Sequence, residues 1–113
     1  MHELSLCESI VSLVTESAGR EGLRRVTRVT VDIGVASAID PDALLFCFPI
    51  VTEDTPAAGA ELAVNRIALQ ARCAACGADF SPESLISPCP ACGSHDRSLR
   101  AGRDMRVVSF EGE

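Results

Sequence analysis

The chain has no lysine, no tryptophan and no tyrosine, and it has only two histidines and four phenylalanines among its 113 residues. All ten basic side chains are therefore arginines, set against sixteen acidic ones for a net charge of -6. The deficit is spread along the chain. Residues 1–72 hold six basic and ten acidic side chains, and residues 73–113 hold four and six. Neither region has the basic footprint that nucleic acid or an anionic membrane requires. No apolar run reaches the roughly 18 residues of a spanning helix. The N-terminus lacks a basic stretch ahead of an apolar one, so it does not read as a secretory leader. The expected location is the cytosol, where thiols stay reduced. Neither a phosphate-binding loop nor a nucleophile motif is found, so nothing points to an enzyme. What is present is an apolar fraction of 47%, enough to bury a core, and that core must be mostly aliphatic.

The first region reads as a small α/β unit. In "SLCESIVSLVTESAGREG", Cys7, Ile10, Val14 and Ala18 recur at helical spacing on one stripe. Ser5 and Glu8 have capping-box spacing, which predicts a helix start near Ser5, and Gly19 or Gly22 can end it. "RVTRVTVDIGVAS" alternates, with Val29, Val31, Ile33 and Val35 on one face of a half-buried strand. "DPDALLFCFPIV" predicts a second helix with Asp40 as N-cap and Pro41 at its first position. Pro49 lacks an N–H, so that helix is expected to kink or stop near Phe48. "ELAVNRIAL" predicts a second strand with a bulge around Asn65 and Arg66, and "DMRVVSFE" a third.

Four of the six cysteines form two C-x-x-C-G knuckles, Cys73/Cys76/Gly77 and Cys89/Cys92/Gly93. Two-residue spacing lets both sulfurs of a pair reach one ion, and the following glycine can adopt the positive φ that closes the turn. Four thiolates suit tetrahedral zinc in a structural site with no open position. Two disulfides would need an oxidising compartment, and four-thiolate iron would make a rubredoxin-like electron carrier. Cys7 and Cys47 fall on apolar helix faces and read as buried free thiols.

The start "MHELSL" places one of the two histidines at position 2. Methionine removal requires a small second residue, so Met1 should stay. Its amine, the His2 amide nitrogen and the His2 imidazole can then close a five- and a six-membered chelate ring on one metal. Such a tetragonal nitrogen set suits Ni(II) or Cu(II), and donor chemistry alone favours copper. The Glu3 amide, water or another residue is left for the fourth position. The other reading of His2 is a solvated tail residue.

These residues together resemble a known family. "MHELSL" ahead of an amphipathic helix, "VDIG" followed by "DPDALLF", and the two C-x-x-C-G knuckles are similar to the HypA/HybF family of hydrogenase-maturation nickel metallochaperones, over essentially the whole chain. The resemblance implies His2 as the essential nickel ligand with Glu3 beside it, and Cys73, Cys76, Cys89 and Cys92 as zinc ligands. It implies delivery of nickel to the [NiFe]-hydrogenase large-subunit precursor, together with the GTPase HypB. Pro49 departs from the family's usually unbroken second helix.

The expected fold is α/β (α+β): a nickel-binding domain of two helices on a three-stranded sheet, plus a zinc ribbon. Residues 1–68, completed by a C-terminal strand within 101–113, should form the nickel domain, and 69–100 the zinc domain. His95, three residues past the last knuckle cysteine, is either a solvated loop residue or the fourth nickel ligand in a partner complex. The competing function is a non-enzymatic zinc-ribbon adaptor for nucleic acid or a transcription protein. Whether the chain works alone or as a homodimer is left open.

Overall fold

The computed structural model describes residues 2–113. Its elements run α1 (His2–Arg20), β1 (Val26–Gly34), α2 (Pro41–Val51), β2 (Glu61–Ile67), β3 (Gln70–Cys73), β4 (Asp79–Phe80), β5 (Arg97–Ala101) and β6 (Met105–Gly112). Two three-stranded sheets form, in the orders β2-β1-β6 and β4-β3-β5. The fold class is the expected mix of two helices and small sheets. One compact unit is made of the residues up to Val31, Ile39–Asn65 and Arg106–Glu113. The other is made of Asp32–Ala38 and Arg66–Met105.

In the first unit, the predicted α1 stripe of Cys7, Ile10, Val14 and Ala18 is buried, and Val11, which the spacing did not place on it, is buried beside them. Together with Leu44, Cys47 and Phe48 of α2 and Val26, Val29 and Val31 of β1, they supply an interior that is almost wholly aliphatic. Burying each such side chain contributes roughly 1.5–3 kcal/mol before chain entropy is charged against it. α1 begins at His2, three residues earlier than the Ser5–Glu8 spacing suggests. A capping box therefore does not set the start, and His2 and Glu3 belong to the first turn. At the other end, Leu23 N–H bonds Ala18 C=O and Gly22 N–H bonds Gly19 C=O, with Gly22 at φ 77°. This Schellman closure needs the left-handed residue that Gly22 supplies.

α2 starts as expected. The Asp40 side chain accepts from the Asp42 N–H at 3.0 Å, and Pro41, which has no N–H, adds no unpaired donor to the first turn. It does not stop at Phe48, however, but continues through Pro49 to Val51. Pro49 leaves only the Leu45 carbonyl without its helical donor. Both residues are exposed, so water can serve that carbonyl. The Thr52 N–H still reaches Phe48 C=O at 3.0 Å and closes the last turn. No helix among the described residues is long and apolar enough to cross a membrane.

β1 ends at Gly34, one residue short of the predicted face. Val29, Val31 and Ile33 are buried, but Val35 has left the strand and is 46% exposed. The cause is a tight turn in the second unit, where Ser37 N–H and hydroxyl both donate to Gly34 C=O. A Cβ on Gly34 would lie 2.3 Å from the Gly102 carbonyl group, and one on Gly102 2.7 Å from Leu69 Cα. Three backbones therefore meet at distances only glycine permits. β2 shows the phase shift seen in sequence, with Leu62 buried and Val64 and Ile67 both half-buried.

Candidate metal centres

The second unit carries the cysteines. β3 pairs antiparallel with β4 (Ala71↔Phe80, Arg72↔Asp79) and with β5 (Arg72↔Ser98, Cys73↔Arg97). Cys73 thus ends a strand held on both sides. The two knuckles repeat one hydrogen-bond pattern. Cys73 N–H donates to Ala78 C=O and Gly77 N–H to Cys73 C=O. Likewise, Cys89 N–H donates to Ser94 C=O and Gly93 N–H to Cys89 C=O. Gly77 and Gly93 sit at φ 77° and 78°, the left-handed turns predicted from the motif. The first cysteine of each knuckle is buried and the second exposed.

The sulfurs converge across the knuckles. Cys73 Sγ lies 3.5 Å from Cys92 Sγ, and Cys76 Sγ lies 3.7 Å from Cys89 Sγ. All four sulfurs are within 4.8 Å of one another. A disulfide would need about 2.0 Å. A zinc tetrahedron with Zn–S of about 2.3 Å has S···S edges of about 3.8 Å, which this cluster matches. All six cysteines are free thiols. The Cys76 N–H points at Cys73 Sγ and, with the Ala75 amide, draws the Cys73 thiol down to about 7 against the push of burial. The Ser94 amide favours ionised Cys92, but the crowded sulfurs and burial outweigh it and push that thiol up to about 12. Four thiolates this close need a cation to coexist. The donor set and its spacing fit zinc.

The first unit brings the N-terminal residues together. The His2 side chain is exposed, and its Nδ1 lies 3.7 Å from Glu3 Oε2. The same Glu3 oxygen accepts the Asp40 main-chain N–H at 3.4 Å. The Asp40 amide is the main influence holding the Glu3 carboxyl below its ordinary range, followed by Glu3's own amide, while the nearby His2 adds to the effect. Because α1 starts at His2, the N–H groups of its first turn have no intrahelical acceptor. Met1 lies outside the described residues. Asp40 was legible as a helix cap but not as a neighbour of residue 3, since no local pattern reports a contact 37 positions apart.

Cys7 and Cys47 are buried, as their helix faces predict. The Cys7 thiol donates to Leu44 C=O at 3.4 Å. Burial first, then Cys47 and Glu3, push it up to about 11. It therefore behaves as a core residue rather than a nucleophile. His95 is exposed on the segment between Gly93 and β5.

Comparison with known proteins identifies the family and supports the fold. The family model described as "Hydrogenase/urease nickel incorporation, metallochaperone, hypA" matches residues 1–112. The chain is 40% identical to the hydrogenase maturation factor HypA of Rhizobium leguminosarum bv. viciae over 111 residues, 98% of each protein. It is 40% identical to that of Geobacter metallireducens over 113 residues, the whole of both. Its fold is similar to the solution structure of the Ni metallochaperone HypA from Helicobacter pylori, with TM-score 0.69 and 26% identity over 97% of this chain and 96% of that one. A second solution structure of a HypA protein gives TM-score 0.78 and 29% identity, covering 100% and 97%.

Proposed function

The chain belongs to the HypA family of hydrogenase and urease nickel-incorporation metallochaperones, which are not enzymes, and from that premise we propose that it carries Ni(II) at its N-terminus and delivers it to the [NiFe]-hydrogenase large-subunit precursor. The observation that supports this reading most is the placement of His2 and Glu3 in the first turn of α1. Main-chain nitrogens there are spared from the helix ladder, and the positive end of the helix dipole eases loss of an amide proton. The Met1 amine, the His2 amide and His2 Nδ1 form the chelate, and Ni(II) is the cargo. Glu3 contributes its amide, or orients the corner through its carboxylate. Asp40, whose main-chain N–H donates to the Glu3 carboxylate, helps hold the corner's shape. Binding displaces a proton, so affinity falls in acid.

The four-cysteine site holds zinc, which supplies cross-linking to a unit with short strands. Cys73, Cys76, Cys89 and Cys92 are its ligands, and the backbone of each knuckle fixes where the sulfurs stand. The partners are HypB and the large-subunit precursor, and the work is done in the cytoplasm. In the HypB complex, His95 completes the nickel site. His95→Ala should leave nickel binding by the isolated chain nearly intact and weaken it in the complex. Equal affinity of both proteins within the complex would remove His95 from the site.

Delivery is tested by incubating the nickel-loaded chain with HypB, GTP and the purified precursor. The precursor should gain nickel from wild type and not from His2→Ala. Equal transfer by both would refute the N-terminal route.

A further inference from the structure

The second unit contains a concavity of about 550 Å³ lined by none of the four zinc cysteines and by no nickel ligand of the isolated chain. His95, Arg97, Arg100, Arg103 and Asp104 line it, with Leu99 and Ala101 between them. Three guanidiniums against one carboxylate make this a locally positive site on a chain of net charge -6. The Arg100 and Arg103 guanidiniums form no ion pair or hydrogen bond with any described residue. Arg97 is anchored, donating from its guanidinium to Ser87 C=O.

The convergence is built into the backbone. In a regular strand Arg97 and Arg100 would point to opposite faces, because side chains alternate. Here Ala71 pairs with Leu99 but Gln70 pairs with Ala101, so Arg100 is the extra residue of a β-bulge. A bulge re-aims a side chain. It brings Arg100 to the concavity that Arg97 and Leu99 already line. Arg103 follows Gly102, whose φ of 102° and contact with Leu69 leave no room for a Cβ. The turn that presents Arg103 is thereby fixed.

We propose that this concavity docks an extended acidic segment of a partner protein, its carboxylates on Arg97, Arg100 and Arg103. The site follows β5, which is the edge strand of its sheet, so a chain laid along it can also pair with the strand backbone. Residues 97–101 alone extend about 13 Å at strand rise, long enough for a peptide segment to lie along them. The His95 imidazole is the sole ring in the lining, with no Phe, Tyr or Trp to build a stacking platform for nucleobases. Guanidiniums grip carboxylates through paired N–H donors, which gives the site its preference. The chain's overall negative charge does not oppose this at short range, because salt screens beyond about 8–10 Å. Docking here is independent of the nickel reading, since it uses no nickel ligand of the isolated chain.

The test uses the full-length, zinc-loaded, nickel-free chain and a fluorescent hexaglutamate peptide. Wild type should bind it at low salt and release it at 0.5 M NaCl. Arg100→Gln/Arg103→Gln should weaken binding by about tenfold or more, as loss of two charge-assisted pairs implies. Arg24→Gln/Arg25→Gln removes the same charge in the other unit and should leave it unchanged. Binding should also slow amide exchange in Arg97–Ala101. Equal weakening in both double variants, or no binding by wild type, would overturn the proposal. So would displacement of the peptide by inorganic pyrophosphate at lower concentration than by unlabelled hexaglutamate, because that marks a small-anion cup.

Discussion

Glu3 accepts the main-chain N–H of Asp40 at 3.4 Å, so the first turn of α1 is joined to the N-cap of α2. The two residues that open the helices hold one corner, and His2 sits on it. The corner is thus more than a chain end: its shape depends on a residue 37 positions away.

Asp40 therefore has two separable roles. Asp40→Ala removes the acceptor for the Asp42 N–H and should cost about 1 kcal/mol in urea unfolding. The main-chain N–H that Glu3 uses survives the substitution. Nickel affinity should accordingly fall far less than in His2→Ala. If the two variants lose nickel equally, the Asp40 side chain itself is a ligand.

Cys73→Ser should strip zinc and disorder residues 73–92 while most helical circular dichroism persists. The helices draw their interior from the other unit, so they do not need the four zinc-site cysteines. Metal analysis and amide exchange read the two halves separately. Full zinc and an unchanged ribbon in the variant would contradict the four-thiolate assignment.

Alkaline pH offers a third check. The buried Cys7 thiol is pushed up to about 11, whereas in the unfolded chain it ionises near 9. Below 9 both states keep the proton. Between 9 and 11 only the unfolded chain releases it, so stability should fall with rising pH by up to roughly 2 kcal/mol. With no lysine or tyrosine in the chain, the side chains ionising in this window are thiols, and the comparison with Cys7→Ala isolates the share of Cys7. Urea melts at pH 8 and 10.5 should show the loss in wild type and a smaller one in Cys7→Ala. An equal loss in both would assign it elsewhere.

Local chemistry was legible in the sequence where one short segment settles the outcome. The Cys73–Gly77 and Cys89–Gly93 knuckles, the Asp40-Pro41 start and the buried Cys7–Ala18 stripe each follow from residue type and spacing. Where two solutions compete locally, the pattern misled. Ser5 and Glu8 have capping-box spacing, but the helix gains another turn by starting at His2. Pro49 forbids one hydrogen bond, but an exposed carbonyl tolerates that loss near a helix end. Val35 continues the β1 alternation, but the turn at Gly34 removes it from the strand. Contacts between distant segments were not legible at all. The Glu3–Asp40 bond, the Gly34–Gly102–Leu69 approach and the bulge at Arg100 all depend on register, which no single segment encodes.

Nickel titration of the zinc-loaded chain bears most directly on the central claim that the N-terminus carries the cargo. Three proteins are compared: wild type, His2→Ala, and wild type extended by a few residues before Met1. Wild type should bind one Ni(II) tightly. His2→Ala should lose that binding with little change in unfolding free energy, because the side chain is exposed. The extended protein should also bind more weakly, because its terminal amine has been moved away. Unchanged affinity in both altered proteins would contradict the terminal chelate.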